Sequence, residues 1–201
     1  QSTRTLEQIV AHNDGMQHTA DEHNDARHFA NTLFNTMRGG FYLNDYTIQA
    51  AAFAAHIRIF NTALAQKHEA FLNALPAALQ YDQLIAAVRE QNDPQLLRLA
   101  YEYLPITFGR RHGDPSRPWN MFDIQVKDAK GQPIVSYQGN WRDIFQNWEA
   151  LSLSYPNFIN SIIAKFLNAT TVDGYNPYRI TNQGIDWEVI EPENPWSNIG
   201  Y

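Results

Sequence analysis

No cysteine occurs in the sequence, which excludes disulfides and thiolate-ligated metals and is compatible with a reducing compartment. Nor is there a run of about eighteen apolar residues, the length a spanning helix needs, so no membrane partner is expected. Basic side chains are in the minority: 15 Lys and Arg stand against 21 Asp and Glu, a formal net charge of −6. Nucleic acids and anionic membrane surfaces call for a positive stripe that displaces counterions, and neither is expected as a partner. The opening residues Gln1-Ser2-Thr3-Arg4-Thr5-Leu6 contain neither an initiator Met nor the apolar core of a signal peptide. That reads as a chain excised from something longer, with the cytoplasm as its expected location. What the sequence does have is apolar surface: 44% of its 201 residues are hydrophobic and 13% aromatic, enough to bury a real core as a single helical domain over 1–201 or as part of a larger one.

Helical periodicity dominates the first half. Residues 1–40 read as helical, with Phe29, Leu33, Phe34 and Met37 on one stripe beside Ala26 and Ala30, and Arg38-Gly39-Gly40 as the stop. The same stretch carries His18, Glu22, His23, Asp25 and His28. His18 and Glu22 are one turn apart, but no HExxH-type pattern completes a ligand set, so the cluster reads as a solvated face and no metal is expected. Tyr46 to Leu75 reads as one long helix burying Phe53, Ile57, Phe60, Leu64 and Phe71, closed by Pro76. The alanines at 50–52, 54 and 55 suit close helix packing. A shorter helix is expected over 79–89. Asn92-Asp93-Pro94 then supplies a cap and a first-turn proline for a helix over 95–104, with Leu96, Leu97, Ala100 and Leu104 inward.

Between 105 and 140 the chain changes character, with prolines at 115, 118 and 133 and glycines at 109, 113, 131 and 139. This is a loop and insertion region. Inside it Phe122, Ile124 and Val126 alternate with polar residues, Asp128 to Gly131 offers a turn, and Ile134, Val135 and Tyr137 lead back, a β-hairpin near 121–138. Helicity resumes at Trp141 or Arg142 with Ile144, Phe145, Trp148 and Leu151 on one face. A further helix started by Ser154-Tyr155-Pro156 is expected to turn Phe158, Ile159, Ile162, Ile163, Phe166 and Leu167 inward. Residues 168–201 read as an irregular, site-forming segment rich in Gly, Pro, Asn and aromatics.

The chemistry concentrates in the stretch from 108 to 149, where Arg111, His112, Asp114, Trp119, Trp141, Arg142, Asp143 and Trp148 gather. Guanidinium forks and carboxylates bind vicinal hydroxyls in pairs, and an indole offers a flat apolar face to ring C–H groups. That combination suits an oligosaccharide. Asp186 and Trp187 repeat the theme of a carboxylate beside an indole. Asp143, in the first turn of its helix, reads equally as a cap and as a ligand contact.

Long helices joined by shaped loops, with Trp141-Arg142-Asp143-Ile144-Phe145-Gln146 opening one of them, resemble the catalytic region of cellobiose-phosphorylase-like proteins in the six-hairpin, (α/α)6-barrel group. The stretch Arg110-Arg111-His112-Gly113-Asp114-Pro115-Ser116-Arg117-Pro118-Trp119-Asn120 is similar to a signature of large bacterial carbohydrate-active proteins of this type. The resemblance implies a mainly all-α chain forming part of an (α/α)6 toroid, with Arg142 and Asp143 contacting sugar. It also implies an inverting glycoside phosphorylase or hydrolase as the whole protein, with no cofactor beyond inorganic phosphate as an allowed co-substrate. The family's general acid has no counterpart here and is expected beyond Tyr201. On that reading a cut toroid leaves apolar surface through which the chain self-associates. Two rivals stand beside it: a non-catalytic carbohydrate-binding helical module, and a helical protein-interaction scaffold.

Overall fold

The computed structural model describes residues 19–107, 127–132, 134–141 and 158–187, together with residues 7, 11, 145, 148, 149, 151, 152, 155, 192 and 193. The chain is mainly helical with small antiparallel sheets. Helix α1 spans Glu22–Gly39. Asp21 caps it, its Oδ1 accepting from the backbone N–H groups of His23 and Asn24, and Gly40 at φ +81° ends it, the left-handed position that glycine occupies without steric cost. Glu22, His23 and His28 are exposed, and no group of three metal-ligating side chains forms among the described residues.

Strand β1 (Phe41–Tyr42) leads through a 3-10 turn (Leu43–Tyr46) into β2 (Thr47–Gln49). The expected single helix from Tyr46 to Leu75 is three: α2 (Ala50–Phe60), α3 (Thr62–Lys67) and α4 (Glu69–Ala74). The first break is Asn61, whose φ of −157° is extended and whose side chain accepts from the Leu64 N–H. An asparagine that can bond the backbone competes with helix continuation. The second is His68, at φ −107° and ψ 20°. Strand β3 (Ala78–Gln80) pairs antiparallel with β2, setting Ile48 opposite Leu79. Next come α5 (Tyr81–Glu90) and α6 (Pro94–Glu102), the latter capped by Asp93 and opened by Pro94 as its sequence requires. Strand β4 (Ile106–Thr107) returns to pair with β1.

The turn of the expected hairpin is present. The Gly131 N–H donates to the Asp128 carbonyl, and Asp128 Oδ1 accepts from Lys130 and Gln132. Its first arm, 121–126, lies outside the described residues. The returning chain bridges Thr107 at Ser136 and continues as β5 (Gln138–Asn140), which pairs with a later strand. Trp141, Phe145, Trp148, Glu149, Leu151 and Ser152 are helical, as the sequence pattern predicts. Helix α7 (Ile159–Ala169) follows. The stretch expected to be irregular holds a hairpin, β6 (Arg179–Thr181) and β7 (Gly184–Asp186), so β5, β6 and β7 make a three-stranded antiparallel sheet.

One continuous core joins these pieces. Phe53, Ile57, Leu84, Leu96, Leu99, Leu104, Ile106, Trp148, Leu151 and Ile180 are all within 2% of complete burial, each such side chain contributing about 1.5–3 kcal/mol by leaving water. A second aromatic layer stacks Tyr42, Tyr46, Tyr155 and Phe158, and the Tyr155 hydroxyl accepts the Tyr42 backbone N–H at 3.1 Å. Burial, then the neighbouring tyrosines, push the Tyr42 phenol well above its ordinary range.

Helix α7 sits differently from its sequence expectation. Phe158, Ile162 and Phe166 face inward as predicted, but Ile159, Ile163 and Leu167 are 47%, 50% and 68% exposed, while Ser161 and Lys165 are buried. A helix apolar on nearly all sides does not announce which stripe the core will take. Phe34 on α1 is likewise half exposed.

Asp93 ties three elements together. Its Oδ1 accepts from the N–H groups of Gln95 and Leu96, and its Oδ2 accepts from Lys67 Nζ at 2.7 Å and His68 Nε2 at 2.8 Å. The His68 bond, then that of Lys67, hold its carboxyl well below the usual carboxylate range. That stabilisation is present above the ordinary value near 3.9 and is lost only as pH falls through the lower folded value. Asp93→Ala is expected to cost about 1–3 kcal/mol at pH 7, lowering Tm by roughly 2–4 °C per kcal/mol for a chain of this size. Thermal unfolding of the variant beside the wild type checks this, and an unchanged Tm would show that the junction carries no stability.

Candidate functional site

The three-stranded sheet brings separated parts of the chain into one row. Asn140 lies opposite Arg179, and Arg179 opposite Asp186. Beyond these pairs the Trp141 N–H donates to the Tyr178 carbonyl at 2.8 Å, and the Tyr178 N–H donates to the Asp186 carbonyl at 2.9 Å. Trp141, Tyr178 and the Asp186-Trp187 pair are thereby strung across one end of the sheet. Trp187 is 48% exposed and Tyr178 is 36% exposed. Trp141 is half-buried, its ring set edge-on to Phe145 at 5.2 Å and Phe166 at 5.5 Å. Arg179 Nε and Nη2 both donate to Asp186 Oδ2, at 2.7 and 2.5 Å. That ion pair is open to water, a setting in which such pairs contribute about 0–1 kcal/mol, and both groups keep hydrogen-bonding capacity for a ligand.

Of the residues that the sequence nominates, Trp141, Asp186 and Trp187 therefore converge. Trp148 does not join them: it is 1% exposed, its indole edge-on to Tyr137 and Phe166, and serves the core because its helix turns that face inward. Arg111, His112, Asp114, Trp119, Arg142 and Asp143 lie outside the described residues. Arg142 and Asp143 follow Trp141 directly in the chain.

The opposite face of the hairpin lines a second feature. Side chains alternate along a strand, so with Arg179 and Asp186 on one face, Ile180 and Ile185 lie on the other, where they line a cleft of about 200 Å³ with Phe60, Arg98, Leu99, Glu102, Lys165 and Asn168. Glu102, 5% exposed, accepts from Arg98 Nη1 at 2.8 Å one turn away on α6 and from the Asn168 amide on α7. Lys165 is 4% exposed, with Nζ 5.2 Å from the centre of the Phe60 ring and 5.5 Å from that of Tyr137.

Behind Lys165 lies His56, 6% exposed, between the rings of Phe60 and Tyr103. Its Nε2 is 3.2 Å from the Leu99 carbonyl. A carbonyl only accepts, so Nε2 carries the proton and Nδ1 the lone pair. Burial first, then the positive charge of Lys165, lower its pKa to about 3, so the ring is neutral.

The sequence reading missed this cleft, and one sign of it was available. Ser161, Lys165 and Asn168 form a polar i, i+4, i+7 stripe that reads as the solvent face of α7. The fold turns Ser161 and Lys165 inward instead, leaving apolar residues outside.

Comparison with known proteins adds one relation. Residues 42–105 match the family model described as Glycoside hydrolase family 149 insertion domain 1. The match supports kinship with a carbohydrate-active family, though not with the cellobiose-phosphorylase-like six-hairpin barrel in particular. It covers β2 and β3, α2 to α6, and the Phe60, Arg98, Leu99 and Glu102 wall of the cleft. No curated protein matches the chain. No helix among the described residues is long and apolar enough to cross a membrane.

His56 generates a pH prediction. Its folded pKa lies below the unfolded value near 6.5, so the unfolded chain binds a proton that the folded chain refuses. Its contribution to stability is intact above about pH 6.5 and falls by about 1.4 kcal/mol per pH unit below it, down to the folded value. Replacing the ring by an apolar one, His56→Phe, is expected to flatten the wild-type slope of stability between pH 6.5 and 5 in denaturant titrations. Equal slopes for the two proteins would contradict a buried neutral imidazole.

Proposed function

We propose that the chain is the carbohydrate-binding part of a glycoside hydrolase or glycoside phosphorylase. The observation that carries this reading is the match of residues 42–105 to an insertion domain of a glycoside hydrolase family. The end of the three-stranded sheet supports it: an exposed indole, a second indole and a hydrogen-bonding charged pair occupy neighbouring positions. A sugar needs those two kinds of group together, a flat apolar face and fixed polar partners. Arg142 and Asp143, which follow Trp141 in the chain, are assigned as sugar contacts in this reading, with Arg111, His112, Asp114 and Trp119 as further contacts.

The reaction that we assign to the whole protein is inverting cleavage of an oligosaccharide, with water or inorganic phosphate attacking opposite the departing group. With water as nucleophile such chemistry sets two carboxyl groups about 6.5–9.5 Å apart, whereas with phosphate the one carboxylic acid that protonates the departing oxygen suffices. Among the described residues lining the cleft, Glu102 is the one carboxylate, and Arg98 and Asn168 already hold it. The share that we assign to this chain is binding, and a non-catalytic carbohydrate-binding module is the alternative form of the reading.

Titration of the 201-residue chain with neutral oligosaccharides of differing linkage, followed by calorimetry or NMR, tests the proposal. Saturable binding is expected. Trp187→Ala is expected to weaken it about two- to tenfold through loss of stacking, and Asp143→Ala about tenfold or more through loss of a charged hydrogen bond, with Tm little changed. No binding to any oligosaccharide would overturn the reading, and turnover by the purified chain would overturn its restriction to binding.

A further inference from the structure

The cleft behind the β6–β7 hairpin has a charge pattern that core packing does not account for. Three ionic groups line it, Arg98, Glu102 and Lys165. Glu102 is matched by Arg98, and its Oε1 also accepts from Asn168. Lys165, at 4% exposure far more buried than the Arg98 side chain, has no carboxylate within ion-pair distance among the described residues. An ammonium taken from water without a counter-charge is costly. Two aromatic rings offset part of that cost by cation–π attraction, Phe60 at 5.2 Å and Tyr137 at 5.5 Å. The neutral His56 beyond them offers no negative charge. Exchange of Lys165 for a leucine or methionine would suit the surrounding Phe60, Leu99, Ile180 and Ile185 better than what is there.

We infer that the cleft is an anion site, with Lys165 as the counter-charge for a carboxylate or phosphate group, free or borne by a single sugar unit. The volume sets the scale of the ligand: about 200 Å³ is below the roughly 300–1,000 Å³ of pockets for drug-sized molecules. The polar edge fits the remainder of such a ligand. Asn168 Oδ1 and the Arg98 guanidinium N–H groups engaged by neither Glu102 nor Gln95 are available to meet hydroxyls, while Phe60, Ile180 and Ile185 supply apolar wall. The inversion of α7 has the same explanation. A helix whose outward stripe is Ile159, Ile163 and Leu167 turns Ser161 and Lys165 inward beside Ile162 and Phe166, and a local rule broken in this way fits a functional position. This site lies on the other face of the hairpin from the Arg179–Asp186 pair and does not depend on the oligosaccharide reading of the sheet end.

Four ligands separate the sources of the anion: inorganic phosphate, glucuronate, glucose 6-phosphate and glucose, each titrated into the wild-type 201-residue chain and into Lys165→Met and Lys165→Arg. The expected result is saturable binding of at least one anion, at least tenfold tighter than glucose, lost in Lys165→Met and partly kept in Lys165→Arg. Tighter binding of glucuronate or glucose 6-phosphate than of phosphate identifies an acidic sugar as the ligand, and the reverse order identifies the free anion. Tm adds a readout that a packing role would move the other way: Lys165→Met is expected to melt at or above the wild-type temperature in the absence of anion, because a buried unpaired charge has been removed. If Lys165→Met fails to fold, suppression of wild-type anion binding by added chloride and its retention in Lys165→Arg carry the test. Absence of anion binding to the wild type, or binding of glucose as tight as that of the tightest anion, overturns the inference. Neutral oligosaccharide binding in the same samples would then leave the proposed function standing.

Discussion

The carboxylate of Asp93 is the joint on which the helical half of the chain is set. One oxygen closes the first turn of α6 and the other holds Lys67 and His68 at the break between α3 and α4. The position of α6 decides much else. It carries Arg98 and Glu102 into the cleft and places the Leu99 carbonyl against His56. A loop acid that only capped a helix would fix that helix locally. By meeting a cation and an imidazole from a neighbouring corner, this one also fixes where the helix points.

The hairpin β6–β7 plays the corresponding part for the second half. Its strands alternate between two surfaces, giving Ile180 and Ile185 to the cleft and Arg179 and Asp186 to the open side. Ile180 is fully buried, so the register of the whole hairpin is pinned, because a slip of one residue would exchange the two faces. The Asn182 N–H and side-chain amide reinforce that register by donating to the Tyr137 and Val135 carbonyls. Packing, and not the charged residues themselves, thus holds both candidate surfaces in place.

Much of the fold was legible in the sequence. The stop at Gly39-Gly40, the Asp93-Pro94 start of α6, the Asp128–Gly131 turn and the inward Phe53, Ile57 and Leu96 all follow from residue type and spacing, because local backbone chemistry determines them. The failures share a physical cause. Asn61 interrupts an apolar pattern that continues across it, so periodicity hides the break. α7 has apolar residues on opposite sides, and only tertiary contacts choose between them. The hairpin at 179–186 is three residues per strand with a two-residue turn, too short for alternation to stand out. For the site, an indole beside a carboxylate at Asp186-Trp187 was readable as a local pair. The cleft was not, since α2, α6, α7 and the hairpin each contribute to it and no short stretch contains its pattern.

Strands β1 and β4 bracket the stretch that resembles an insertion domain. Tyr42 lies opposite Ile106, and the Leu43 N–H donates to the Pro105 carbonyl at 3.0 Å, so the chain enters and leaves this stretch at one hydrogen-bonded doorway. Paired Cα atoms in such a ladder stand about 4.5–5.5 Å apart, little more than the 3.80 Å between consecutive residues. A unit of that form replaces one peptide link of a host by two neighbouring strands, and the host's own loop closes over nearly the same distance with or without it. Chain-length variation here would leave the surrounding architecture in register, which is the geometric condition under which one fold can be carried inside another.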